Sequence, residues 1–171
     1  DEVVQAALPP RIVPRSYQTL GDLILDFDMK GEASYYKRSL DLEYAICKTE
    51  FTIAGNKITR EVFASRPDRT IAVRITASEP KSLNFAANLS RPADYNTESL
   101  GDNMLSMRGQ ASHNGKHKGV RYSCLMKAES IDGQILTENK RLRIENASSA
   151  VILIAAETNY NKEKPYTPLT D

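Results

Sequence analysis

Two histidines, His113 and His117, lie four residues apart in the stretch "HNGKHKG". On a helix this spacing would place both imidazoles on one face, where they could bind a metal ion. Asn114 and Gly115 disfavour a helix there, and no cysteine or carboxylate lies within five residues. The stretch therefore favours a solvated basic loop, and we predict no metal site.

Residues for acid–base or nucleophilic catalysis are present, but no arrangement stands out. A glycosidase site needs two carboxylates on facing walls of a cleft, and the acids here are scattered along the chain without a distinctive pair. Both histidines lie in one loop, and no G-x-S-x-G elbow, phosphate-binding loop or dinucleotide fingerprint occurs. We therefore predict no catalytic residue and no cofactor in this chain.

Aromatic side chains offer one generic alternative, which is stacking on sugar rings. The chain has 8 tyrosines and no tryptophan. An autonomous carbohydrate-binding module therefore stays open as an alternative function. The candidate stacking residues are Tyr35, Tyr36, Tyr44, Tyr95, Tyr122 and Tyr160.

The elements that must position these residues are strands. Apolar and polar residues alternate with period two in most of the chain, which is typical of half-buried strands. The predicted strands are 23–28, 35–42, 45–53, 57–65, 70–77, 83–89, 104–108, 120–128, 134–137, 141–145 and 151–157. Strands at this spacing, without helical runs between them, predict an all-β fold of two stacked antiparallel sheets.

Turn chemistry and composition divide the chain further. "TIAGNKIT" and "ESIDGQIL" predict hairpins, and 90–103 and 110–119 predict polar loops. The proline-containing residues 1–16 are expected to be a lead-in, 17–160 the sandwich domain, and 161–171 a linker.

Composition excludes several classes of protein. A net charge of +1 argues against nucleic-acid binding, and no apolar run approaches the roughly 20 residues of a membrane helix. The two cysteines, Cys47 and Cys124, alternate with apolar residues and are expected to be small buried side chains. A disulfide between them stays open, because the sequence does not give their separation.

Several motifs in order carry a family resemblance. "YQTLGDLILDF", residues 17–27, resembles the "YQPLGDL-x-L-x-F" signature of glycoside hydrolase family 95, with Thr19 at the usual proline. Residues 35–78 resemble that family's "LDL-x-x-A" and "RE-x-F-x-S-x-PD" segments, and "AVILIAAETNYN" resembles the strand that ends its N-terminal domain. The likeness runs from about residue 15 to about residue 162.

The resemblance implies part of an N-terminal super-sandwich of the galactose-mutarotase-like kind, preceding an (α/α)6-barrel catalytic domain. Such enzymes are inverting exo-glycosidases that remove terminal α-1,2-linked L-fucose or, in some relatives, L-galactose. Their catalytic residues lie in the barrel, and none matches here, so this chain alone is expected to be inactive. The family implies a fucosylated glycan as ligand and an extracellular or periplasmic location.

Two interpretations of "YQTLGD" follow. It is a structural corner, in which Gly21 permits a tight turn and Asp22 accepts backbone N–H bonds. Alternatively, Tyr17 and Gln18 reach towards the barrel and its sugar pocket, and the candidate substrate-binding residues are then Tyr17, Gln18 and Asp22. The resemblance also implies earlier strands of the same sandwich, so we expect exposed edges that are covered by a second copy, by residues 1–15 or by retained polypeptide.

Overall fold

A computed structural model describes residues 18–113, 117–161 and 163. These residues form strands and turns without a helix, and therefore contain no helix able to cross a bilayer. The lead-in 1–16, Tyr17 and most of 161–171 lie outside the described residues. The twelve strands are β1 (Asp22–Phe27), β2 (Ala33–Asp41), β3 (Ile46–Ile53), β4 (Asn56–Ser65), β5 (Thr70–Ala77), β6 (Leu83–Ser90), β7 (Asn96–Ser99), β8 (Met104–His113), β9 (His117–Ile131), β10 (Gln134–Glu138), β11 (Arg141–Ala147) and β12 (Ser149–Thr158).

The strands form two antiparallel sheets, which confirms the predicted fold class. One sheet has four strands in the order β1-β6-β11-β10, and the other has eight in the order β2-β3-β4-β5-β12-β9-β8-β7. Side chains from the facing surfaces of the two sheets form one core. Each fully buried Leu, Ile or Phe in such a core stabilises the fold by roughly 1.5–3 kcal/mol.

Alternation in the sequence decides which side chains enter the core. In β6 every second residue is buried, beginning with Leu83 and Phe85. Phe27 of β1 packs on Phe85, with 5.3 Å between ring centroids, and meets Phe51 of β3 edge to face at 6.1 Å. These aromatic contacts join the edge of the small sheet to the large one.

Both predicted polar loops contain strand. Residues 96–99 form β7, an edge strand whose one buried residue is Thr97. Residues 110–113 extend β8, and 117–119 begin β9, with His113 opposite His117 in the register. The loop prediction was wrong because edge strands and hairpin ends expose most of their side chains. Polar residues are tolerated at such positions, and the backbone can still pair with the neighbouring strand.

The predicted "ESIDGQIL" hairpin is also wrong, whereas the "TIAGNKIT" hairpin is confirmed as β3–β4. β9 belongs to the large sheet and β10 to the small one, so Asp132–Gly133 carries the chain from one sheet to the other. Asp132 has φ +59°. A side chain on Gly133 would clash with Ala147. A sheet-switching corner needs the same turn residues as a hairpin, so the sequence pattern does not separate them.

The cysteine prediction holds for Cys124 and fails for Cys47. Cys124 is buried, which raises the pKa of its thiol, whereas Cys47 is exposed; both are free. Cys47 lies opposite Leu40 of β2, and Leu40 is exposed as well. The small sheet ends at β1, so this part of the large sheet is not covered by described residues.

The sheet-switching corner gives a pH prediction. The Ser148 hydroxyl and backbone N–H donate to the Asp132 carboxylate at 2.7 and 2.8 Å and lower its pKa. A lowered folded-state pKa stabilises the fold above the ordinary value near 4, and this contribution is lost as pH falls through the folded-state value. We therefore expect wild type to be more stable than Asp132→Asn at pH 7 and the difference to shrink on acidification. Urea unfolding at several pH values measures it, and a pH-independent difference would contradict it.

Candidate functional site

The predicted corner residues lie at one end of the sandwich, where the chain enters β1. Gly21 has φ +145°, and a side chain there would clash with the carbonyl oxygen of Ser90. Asp22 begins β1 opposite Ser90 and is exposed. No group within the described ranges donates a hydrogen bond to its carboxylate, so the expected backbone N–H bonds are not seen there. Tyr17 lies outside the described residues.

Both polar atoms of the Gln18 side-chain amide form hydrogen bonds at this end of the sandwich. Its Nε2 donates to the backbone oxygen of Ser112 on β8 at 2.7 Å, and its Oε1 accepts a hydrogen bond from Arg91. Arg91, just after β6, also donates to the Leu20 carbonyl at 3.5 Å. These bonds connect the residues before β1 with β6 and β8.

Arg91 and Tyr122 close the end of the core. The Arg91 guanidinium lies 4.6 Å from the centre of the Tyr122 ring, and the two residues are only 9% and 5% exposed. Such a stacked cation is stabilised by the negative face of the ring. The Tyr122 hydroxyl donates to the Asp94 carbonyl at 2.7 Å. Burial raises the pKa of this phenol, although the positive charge of Arg91 opposes the shift.

Gly109 provides the space that the Tyr122 ring occupies. It lies directly opposite Tyr122 in the β8–β9 register. A side chain on Gly109 would overlap the Asp94 carbonyl oxygen and approach the Tyr122 hydroxyl within 2.5 Å. Tyr122 is therefore buried and cannot act as the sugar-stacking platform that its residue type had suggested.

Asp94 completes this group, which we name the end cluster: Gln18, Arg91, Asp94, Gly109, Ser112 and Tyr122. The Asp94 carboxylate accepts hydrogen bonds from the backbone N–H and the hydroxyl of Ser112 at 3.0 and 2.7 Å. The polar groups of the cluster satisfy one another, which is the pattern of a structural network rather than of a nucleophile with its base. Sequence reasoning singled out Gln18 but missed Arg91 and Asp94, because their partners are 18 to 73 residues away.

Two open hollows are further concave features of the described surface. One, of about 320 Å³, lies beside Leu20 and is lined by Ala64, Ile71, Ile154 and neighbouring residues. The other, of about 640 Å³, contains Asp102 and Glu129. Glu129 forms an ion pair with Lys127 at 2.7 Å. Neither hollow brings a histidine or cysteine beside a carboxylate.

The described residues contain no group of three or more side chains suited to hold a metal ion. His113 and His117 face each other across a β-hairpin, so their backbone is not the helix that a four-residue metal motif requires. Their side chains lie outside the described part of the chain.

The chain leaves the sandwich at the same end at which it enters. Thr158, the last residue of β12, lies opposite Tyr122. Asn159 then bonds back to β9, because its N–H donates to the Arg121 carbonyl at 3.1 Å and its Oδ1 accepts from the Arg121 N–H at 2.8 Å. The segments before β1 and after β12 therefore both lie beside the end cluster.

Comparisons with known proteins extend this description. The family model for "Glycosyl hydrolase family 65, N-terminal domain" matches residues 3–163. The chain is 32% identical to alpha-L-fucosidase 2 of Arabidopsis thaliana over 91% of its own length and 21% of that protein. It is 25% identical to probable alpha-fucosidase A of Aspergillus niger over 85% of its length and 18% of that protein.

This chain thus spans about a fifth of the length of these curated relatives. The family match covers almost all of the chain, and the relatives carry the α-fucosidase name that the ordered motifs had indicated. The resemblance is confirmed, and the chain belongs to the family of glycosyl hydrolase family 65 N-terminal domains.

Proposed function

We propose that this chain is the non-catalytic N-terminal domain of an inverting exo-glycoside hydrolase that removes terminal α-1,2-linked L-fucose or L-galactose. The observation that carries the proposal is the family match over residues 3–163 together with two relatives named as fucosidases. Its proposed partners are an (α/α)6-barrel catalytic domain of the same protein and a fucosylated glycan, at an extracellular or periplasmic location.

The end cluster suggests how the domain would serve such an enzyme. The chain enters and leaves beside Arg91 and Tyr122, so this end is the natural place for a following domain to attach. A network of satisfied polar groups holds both connections in fixed positions. In this proposal the sandwich supports the barrel, and the fucose-cleaving acid and base belong to the barrel.

The 171-residue chain alone is expected to release no L-fucose from 2′-fucosyllactose, because in this proposal the acid and the base both belong to the barrel. Chromatography of the free sugar measures this, with a known α-L-fucosidase as positive control. Fucose release that follows the purified chain through successive columns would contradict the non-catalytic role.

The transcript beyond Asp171 tests the rest of the proposal. We expect it to encode several hundred residues with helical periodicity, and we expect the longer protein to release L-fucose from the same substrate. A downstream sequence of another type, or a longer protein that cleaves only other sugars, would overturn the assignment.

An autonomous sugar-binding module is the second candidate, and exposed aromatic residues favour it. Tyr35, Tyr36 and Tyr44 are 87%, 61% and 67% exposed around β2. Isothermal titration with L-fucose and 2′-fucosyllactose separates the two functions. A supporting domain gives no heat of binding, whereas a binding module gives a saturable isotherm that is lost in Tyr36→Ala.

A further inference from the structure

The outer edge of β2 is an exposed surface that the proposed function leaves unexplained. All nine residues of β2 are exposed. β3 pairs with one edge of β2, and no described strand pairs with the other edge. An edge of this length with exposed apolar residues is a ready template for another strand.

The apolar character of this edge comes from the shape of the sandwich. Leu40, 57% exposed, lies opposite Cys47 and points to the same face of the large sheet as Val62 and Val73 in the next strands. Val73 is buried under the small sheet, but the described part of that sheet ends at β1 and does not reach β2. Leu40 therefore has the orientation of a core residue without a described neighbour above it.

A regular segment of five residues makes the edge suitable for pairing. The β2–β3 register shifts between Ser34 and Lys37, which confines the bulge to the start of the strand. From Lys37 to Asp41 the pairing with β3 is continuous. The segment reads Lys37, Arg38, Ser39, Leu40, Asp41, with positive charge at one end and negative charge at the other.

We propose that two copies of this chain pair through β2, antiparallel, about a twofold axis at Ser39. In this register Lys37 of each copy lies opposite Asp41 of the other copy, and Arg38 lies opposite Leu40. Directly opposite residues have Cβ atoms about 4.5–5.5 Å apart, so both ion pairs can form. The aliphatic part of each arginine covers the leucine of the other copy. Such an interface is closed and self-complementary.

The charges make this pairing selective. Lysine on an edge strand commonly discourages pairing with other strands. Here the same lysine meets an aspartate when the partner is an identical strand in this register, whereas a parallel arrangement places like charges opposite each other. The pattern therefore disfavours general strand addition and favours one dimer.

Charge reversal in one copy tests the register directly. Sedimentation equilibrium of the 171-residue chain is expected to show a monomer–dimer equilibrium between roughly 1 and 300 μM. Lys37→Asp leaves only acidic residues at positions 37 and 41, and Asp41→Lys leaves only basic ones. Each variant alone should dimerise at least tenfold more weakly, while their 1:1 mixture should form a heterodimer about as strong as the wild-type dimer. Lys118→Asp, an exposed change on β9, is the matched control and should leave dimerisation unchanged.

A cysteine at the proposed axis provides a second measurement. Asp41 Oδ1 also accepts hydrogen bonds from the N–H groups of Glu43 and Tyr44, so Asp41→Lys could disturb that turn. Ser39→Cys in a Cys47→Ser background avoids this. With oxidised glutathione as the oxidant it should cross-link into a covalent dimer, whereas Lys118→Cys in the same background should stay monomeric.

Three results would overturn the proposal. One is a wild-type chain that stays monomeric over the whole concentration range, which would leave this edge to another partner. Another is a dimer that survives both charge reversals, which would place the interface elsewhere. The third is a Ser39→Cys chain that does not cross-link under conditions in which the wild-type background dimerises. None of these results depends on the proposed fucosidase function.

Discussion

Replacing Gly109 with alanine is expected to lower the free energy of unfolding by about 3 kcal/mol, the largest effect that we predict. The added methyl group would overlap the backbone oxygen of Asp94 and lie 2.8 Å from Cζ of Tyr122. A backbone oxygen cannot rotate away as a flexible side chain can. The Tyr122 ring would have to move, and it would lose its hydrogen bond to Asp94 and its stacking on Arg91.

Urea denaturation measures this change, and thermal unfolding should show a fall in Tm of about 6 to 12 °C for a domain of this size. Gly119→Ala is the matched control on the adjacent strand. Its nearest contact would be the Ala111 carbonyl oxygen at 3.0 Å, so we expect a loss below about 1 kcal/mol. Equal losses in the two variants would show that the close packing of Tyr122 on Gly109 does not matter for stability.

Removing the Arg91 side chain is expected to have the next largest effect. Arg91→Ala should lower the free energy of unfolding by about 2 kcal/mol, because hydrogen bonds of a buried charged group and a stacked cation are lost together. The carbonyl of Leu20 and the Oε1 of Gln18 would each lose a donor. Arg91→Lys should recover less than half of the loss, since an ammonium group lacks the planar guanidinium that stacks and donates in two directions.

A double-mutant cycle with Gln18→Ala separates the hydrogen bond from the packing. We expect the two changes to be coupled by about 1 kcal/mol, as is typical of residues in one network. Arg108→Ala, an exposed arginine on β8, is the control and should change stability by less than about 0.5 kcal/mol. Fully additive losses for Arg91 and Gln18 would mean that their hydrogen bond contributes nothing.

The strands were predictable because their signal is local. A strand that buries one face must place apolar residues at every second position, and β6 does so from Leu83 to Leu89. The same rule predicted the positions of β1, β4, β5 and β12 to within a residue or two at each end. The ordered family motifs were also visible directly in the chain, and the family match agrees with them.

The end cluster was not predictable, because its members are distant in sequence. Gln18 stood out only as part of "YQTLGD", and nothing near it in the chain indicates Arg91 as its partner 73 residues later. Tyr122 had the residue type of a sugar platform, and only its position opposite Gly109 decides that it is buried. Hydrogen bonding and stacking need atoms within a few ångströms, and this proximity arises only when both sheets are assembled.

By itself, the sequence determined the all-β class and most strand positions, since both follow from residue types at short, regular spacing. The family came from the resemblance of several ordered motifs, with which the family match agrees. The tertiary structure decided which strands share a sheet. Asp132–Gly133 has the residues of a hairpin turn but joins two sheets. Cys47 and Leu40 lie on the core-facing side of their strands, yet both are exposed because the described part of the small sheet does not cover them. The physical reason is that alternation shows which face of a strand is apolar, whereas burial depends on whether another part of the molecule covers that face.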